Sequence, residues 1–214
     1  MNAKERITRR AARFFQDGDV VNLGIGMPTM IMNYIPKDKD IWFDSENGVI
    51  GLLQADENPD YNIVDASGDV GTIRNGGCCF SSFDSFGLIR GGHIAYTVLG
   101  AYEVDEEGNL ANWMVPGRTC AGMGGAMDLV TGARNVMITM LHTDKEGNSK
   151  IRKKCTLPLT GAGVVTHIIT ELCVIERQKE GLTLKELAPG VTVEEVLAKT
   201  EASLIIPDEI GCME

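Results

Sequence analysis

Residues 41–48 read I-W-F-D-S-E-N-G, and they place a carboxylate where chemistry could be done. An apolar, β-prone run ends in Glu46, and Asn47-Gly48 follows at once as a turn signal. A glutamate at the lip of a buried strand is partly stripped of water, which makes its oxygens better nucleophiles. The turn would hold it at a fixed angle. Capping of a neighbouring element or pairing with a cation would explain the same residue, and the residue types alone leave these readings open.

Backbone donors are the second resource. Glycine accounts for 25 of the 214 residues, and it clusters at Gly24-Ile-Gly26, Gly91-Gly92 and Gly122-Met-Gly124-Gly125. Such places let the backbone turn with positive φ or approach a ligand closely. In V-N-L-G-I-G-M-P-T the third glycine of a dinucleotide fingerprint is Thr29, so a turn seating a helix start near a ligand, with Gly26 in it, fits better. In G-M-G-G-A-M-D-L-V the paired Gly124-Gly125 precede a helix whose first turn holds Asp128. Unpaired N–H groups there could bind an oxygen that gains negative charge, although a plain helix start reads the same way.

Other chemistry is thinner. Lys150-Ile-Arg152-Lys153-Lys154 reads as a solvated edge strand or as a site for cofactor phosphates. His93, His142 and His167 are far apart, and neither a G-x-S-x-G elbow nor H-E-x-x-H occurs. The cysteines, Cys78, Cys79, Cys120, Cys155, Cys173 and Cys212, form no C-x-x-C pair and no metal-ligand spacing with a histidine. That usage suits a reduced, cytoplasmic protein with no metal. Cys78-Cys79, in a Gly-rich apolar stretch, reads as a buried structural pair.

The elements that must position these residues are legible as apolar runs between turn signals. Strands are expected at Val20–Gly24, Ile41–Ser45, His93–Gly100, Asn135–His142 and His167–Glu176. Helices are expected at Ala3–Gln16, Thr29–Tyr34, Ser81–Arg90, Ala126–Ala133 and Val193–Thr200. The strands are mostly apolar rather than alternating, so they are buried on both faces, and the alternation with helices predicts an α/β fold with a mostly parallel buried sheet. Residues 1–214 read as one domain, with 43% hydrophobic content to fill its core. A formal net charge of -10 argues against nucleic acid and membrane surfaces as partners. The amphipathic start, M-N-A-K-E-R-I-T-R-R-A-A, reads as a first helix and not a secretory signal. No apolar run approaches the ~18 residues of a membrane span.

Taken in order, A-K-E-R-I-T-R-R-A, N-L-G-I-G-M-P-T, S-E-N-G, L-I-R-G-G-H, V-L-G-A-Y-E-V-D, N-L-A-N-W-M-V-P-G, G-M-G-G-A-M-D-L-V and K-K-C-T-L-P-L-T-G resemble family I CoA-transferases, in particular the β subunits of 3-oxoacid (acetoacetate) CoA-transferases. The resemblance covers almost the whole chain, and S-E-N-G and G-M-G-G-A-M-D-L are its specific motifs. It implies a three-layer α/β/α fold of the kind shared with ribose-phosphate isomerases. It implies that Glu46 is the nucleophile and that the Gly125 N–H stabilises the oxyanion; Gly26, Asn47, Gly48 and Gly124 are the candidate substrate or CoA contacts beside them. Coenzyme A would be a substrate, no cofactor would be held permanently, and an α subunit would complete an α2β2 heteromer.

Departures from the family pattern follow Glu46. Leu53 stands where a glycine is usual, Asp65-Ala66-Ser67 replaces an N-A-G, and T-I-R-N-G-G brings in Arg74. These are expected to line the acyl pocket, with Arg74 a candidate to hold a charged acid. Rival readings of the same chain are a sugar-phosphate isomerase using Glu46 as a base and a non-catalytic partner subunit.

Overall fold

A computed structural model describes residues 1–118, 120 and 122–213 of the chain. The first helix, α1 (Ala3–Ala12), starts where the Asn2 side chain accepts the Glu5 N–H at 2.9 Å, and it buries Ile7, Ala11 and Ala12. Next come β1 (Val20–Leu23), a 3₁₀ helix (Pro28–Tyr34), β2 (Trp42–Ser45), β3 (Val49–Gln54) and β4 (Gly71–Cys79). They are followed by α2 (Ser82–Arg90), β5 (Tyr96–Leu99), β6 (Glu103–Asp105), β7 (Leu110–Ala111) and α3 (Ala126–Gly132). The remainder is β8 (Asn135–Thr139), β9 (Ile151–Arg152), β10 (His167–Ile169), β11 (Cys173–Gln178), β12 (Gly181–Leu187), α4 (Val193–Lys199), β13 (Leu204–Ile205) and β14 (Gly211–Cys212).

Eleven of these strands form one sheet in the order β13-β12-β11-β10-β8-β5-β1-β2-β3-β4, with β14 also on β12. Its centre, β2-β1-β5-β8-β10, is parallel, and its wings are antiparallel hairpins, β2-β3-β4 on one side and β10-β11-β12 on the other. A smaller sheet, β7-β6-β9, lies apart.

Strand alternation divides the core between two faces. Val21, Phe43, Val98, Met137 and Ile169 pack on Ile7, Ala11 and Phe15 at α1 and on Ile31 of the 3₁₀ helix. On the other face Leu99, Val136, Ile138 and Ile168 pack on Val104, Leu110 and Ile151 of the small sheet and on Val196 of α4. There Val20 meets Ile89 of α2 and Leu129 of α3. The result is the expected three-layer α/β/α arrangement.

Three expectations are corrected. His167–Glu176 is a hairpin and not one strand, because the Thr170 hydroxyl accepts the N–H groups of Leu172 and Cys173, at 3.2 Å each, and turns the chain. Cys78 and Cys79 are exposed, since β4 is the sheet edge and its glycines offer no covering side chains. Leu53 and Arg74 line a cleft separate from that of Glu46. The cationic run does form an edge strand, β9, whose Arg152 is spent on Glu201 at 2.8 Å and Glu103 at 3.4 Å.

Candidate active site

Glu46 stands just past the C-terminal end of β2, in the loop that joins β2 to β3 with Ser45 paired to Val49. In open parallel sheets this edge is where ligands bind. The loop closes because Gly48 N–H donates to the Ser45 carbonyl at 2.9 Å with Gly48 at φ +115°. Only glycine fits there: a β-carbon would lie 2.2 Å from the Phe80 carbonyl oxygen. The Gly48 carbonyl in turn accepts the Phe80 N–H at 2.9 Å.

This backbone clamp aims the next helix. Ser81 caps α2 by accepting the Asp84 N–H at 3.1 Å. Arg90, at the far end of α2, pairs with Asp128 of α3 at 2.7 Å. Phe86 of the same helix packs at the start of α3, where Gly125 is the N-cap residue. A β-carbon on Gly125 would stand 3.0 Å from the Phe86 ring and 3.5 Å from Cγ of Glu46. Two motifs some 80 residues apart are thus brought side by side, Glu46 and Gly125. Among the described residues no acceptor takes the Gly125 N–H.

Other expected site residues divide. The Asn47 amide donates to the Val64 carbonyl at 2.8 Å, and the Ser45 hydroxyl accepts the Ala66 N–H at 2.9 Å. These two side chains anchor the loop that carries Asp65, Ala66 and Ser67, and this loop lines the narrow cleft before Glu46 with Gly24, Ile25, Thr29 and Leu52. Gly26 and Gly124 are exposed, at φ +91° and +52°, and neither lines this cleft. Leu53 and Arg74 instead line a separate cleft at the start of β2. There the Arg74 guanidinium lies 4.0 Å over the Trp42 ring and 2.6 Å from Asp40, so it serves the sheet and not the acyl pocket.

Two polar residues were not singled out by the sequence. Asn22 is wholly buried in β1, opposite Asp44 of β2. Its amide nitrogen reaches Asp44 Oδ2 and Glu46 Oε2, both at 3.1 Å, and its Oδ1 faces the Thr97 hydroxyl at 3.5 Å. With both amide hydrogens spent on carboxyl groups, Asn22 fixes the Glu46 carboxyl without neutralising it. Asp44 is 4% exposed, and burial first, then the Glu46 charge, pushes its carboxyl up to about 7 despite the Asn22 hydrogen bond. The readable sign of both was a polar residue inside an apolar strand, V-V-N-L and W-F-D-S.

A larger cleft of about 810 Å³ adjoins at Ile25, and it is lined by Arg118, Lys145 and Lys150 as well as Asp144 and Glu146. Among the described residues no helix is long and apolar enough to cross a membrane.

Residues 4–199 match the coenzyme A transferase family, and the chain belongs to it. It is 54% identical over 215 residues to the β chain of the acetate CoA-transferase of Haemophilus influenzae, covering 100% of this chain and 96% of the relative. It is 45% identical over 210 residues to one of the subunits of a probable succinyl-CoA:3-ketoacid coenzyme A transferase of Bacillus subtilis, covering 97% of each. Among solved structures it resembles an acyl-CoA transferase from Escherichia coli O157:H7 in a thioester complex with CoA, with TM-score 0.78 and 22% identity over 100% of this chain and 43% of that longer one. At that identity the likeness speaks to the fold. The chain is therefore a CoA-transferase polypeptide with the three-layer α/β fold of its structural relatives.

Proposed function

We propose that Glu46 carries CoA as a thioester while the enzyme exchanges it between an acyl-CoA and a short-chain carboxylic or 3-oxo acid. The observation that supports this most is the meeting of the Glu46 side chain with Gly125 at the ligand-binding edge of the sheet. A Glu46 carboxylate oxygen attacks the thioester carbonyl, the C–S bond breaks, and CoA leaves as thiolate, giving an acyl-glutamyl anhydride. The thiolate then attacks the glutamyl carbonyl, the bond from that carbon to the anhydride oxygen breaks, and the donor carboxylate departs. An acceptor carboxylate runs both steps in reverse. Each addition passes through an oxyanion, for which the Gly125 N–H is the donor from this chain; such a donor is worth about 3 kcal/mol.

CoA itself would extend into the larger cleft, where Lys150, Lys145 and Arg118 are the cations available to its phosphates. Gly48 and Asn47 hold the loop that carries Glu46, and with Gly26 and Gly124 they would contact substrate or CoA. A second donor and the far wall would come from an α subunit in an α2β2 heteromer, in keeping with the subunit names of the relatives. The acids in question are of the acetate, butyrate, acetoacetate and succinate class.

Initial rates with both substrates varied test this reading. The complex with its α partner should give parallel double-reciprocal lines, and Glu46→Gln should lose turnover by at least about a thousandfold. Intersecting lines, or a Glu46→Gln enzyme of near-normal rate, would contradict it.

A further inference from the structure

We propose that Asp44 holds a proton while Glu46 is a free carboxylate and releases it when Glu46 is converted to the thioester, so that loading of the enzyme is coupled to proton release. The inference rests on the reading of Glu46 as the nucleophile. Asp44 acts as a positioning residue, through Asn22 and through its charge, and touches no substrate.

Geometry carries the argument. One amide nitrogen, Asn22 Nδ2, donates to both carboxyl groups, so their accepting oxygens lie no farther apart than those two 3.1 Å contacts allow. Two carboxylates that close repel each other unless a cation intervenes. Among the described residues none does: the titratable groups lining the cleft are Asp44, Glu46 and Asp65, with no lysine, arginine or histidine. Asp65 is already supplied with donors, its Oδ1 accepting from Ser67 N, Ser67 Oγ and Asp69 N at 2.7–2.9 Å. The strands flanking β2 add no charge next to Asp44, since Asn22 and Ile50 are its partners across β1 and β3 and Thr97 lies beyond Asn22.

Repulsion therefore favours one proton on the pair, and burial decides which carboxyl holds it. Glu46 is half-buried at the cleft, whereas Asp44 is almost wholly enclosed. Asp44 Oδ1 also has no hydrogen-bond partner among the described residues, a deficit that a neutral carboxyl tolerates far better than a carboxylate. Loading changes this balance. The Glu46 carboxylate and an acyl-CoA become a glutamyl-CoA thioester and a free carboxylate, so a negative charge leaves the site with the donor acid. With that charge gone burial remains but the repulsion does not, so Asp44 binds its proton less tightly; where the O–H bond breaks, the proton passes to solvent and Asp44 takes over the negative charge.

The test uses the chain in complex with its α partner, incubated with acetyl-CoA and a fixed acetate concentration. The ratio of loaded to free Glu46 is read by intact mass across pH. For the native chain the ratio should rise several-fold between about pH 5.5 and about pH 7.5, because proton release favours loading as pH rises. In Asp44→Asn the ratio should be flat over the same window. The same slope in both proteins overturns the proposal, as does a folded Asp44→Asn that never loads. No adduct in either protein, with the complex intact, sinks the nucleophile reading and this inference together. Should Asp44→Asn not fold, carbon-13 spectra of aspartate carboxyls in the native complex serve instead. One carboxyl should titrate near neutrality in the free enzyme and at lower pH in the loaded one; aspartates that all titrate below about pH 5 contradict the proposal.

Discussion

Asn22 occupies a position where an apolar strand would ordinarily bury leucine or valine. Its amide is the shared donor to Asp44 and Glu46, and nothing else described holds the Glu46 carboxyl in place. Asn22→Ala should therefore leave both carboxyl groups unbridged, with kcat of the complex falling about tenfold to a hundredfold as the proposed nucleophile loses its aim. Wild-type kcat in that variant would refute the role. Asp44 makes a separable prediction about stability. Its carboxyl is raised from 3.8 to about 7, so between those values the folded chain binds more protons than the unfolded one. Stability tied to Asp44 is then present in acid and lost as pH rises through about 7. Asp44→Asn, which removes the charge, should be more stable than the native chain at about pH 8 by thermal unfolding, with the gap closing toward about pH 4. A gap independent of pH would contradict this. Glu46 was readable because strand end and turn are adjacent in the chain. Its partner Asn22 was not, because the pairing of β1 with β2 depends on sheet order and register, which no local pattern reports.

The elements show why some of the fold was legible and some was not. The parallel centre, β1, β2, β5 and β8, was visible because strands buried on both faces are near-continuous apolar runs. In the wings β10 and β11 were read as one strand, and β3, β4 and β12 were missed: β4 is half-exposed and Gly-rich, and β12 carries Lys185 and Glu186 within its apolar run. The turn at Gly48 was legible as Asn-Gly, but its second duty was not. It locks the Phe80 backbone and, through α2, places Gly125 beside Glu46. Gly48→Ala should cost well over 1 kcal/mol, because φ +115° and the close Phe80 carbonyl both resist a β-carbon. An unchanged melting temperature would contradict that clamp. The β10–β11 hairpin carries its own pH sensitivity. His142 is buried between the hydroxyls of Thr170 at 3.0 Å and Thr200 at 2.8 Å, and burial lowers its pKa from 6.5 to about 4. The unfolded chain binds the extra proton between those values, so this stability is present above 6.5 and is lost as pH falls toward 4. His142→Gln should flatten that acid limb, which is worth about 3 kcal/mol, when unfolding is followed across pH. An acid limb of the same slope in the variant would rule it out.

At the scale of the whole molecule, the sheet divides the work between its edges and faces. The N-terminal end of β2 is closed by Arg74, Trp42 and Asp40 into a structural stack. Its C-terminal end holds Glu46 against a narrow cleft that opens beside a much larger one. In the proposed reaction one carboxylate, one backbone donor and the larger cleft would be this chain's share, and an α subunit would supply the rest. The central claim is that Glu46 itself carries CoA. The most direct measurement is peptide mass spectrometry of the chain after the complex with its α partner has met acyl-CoA without acceptor acid. CoA should appear on the peptide containing Glu46, and none in Glu46→Gln. A well-folded native complex that stays unmodified, or CoA found on another residue, would contradict it.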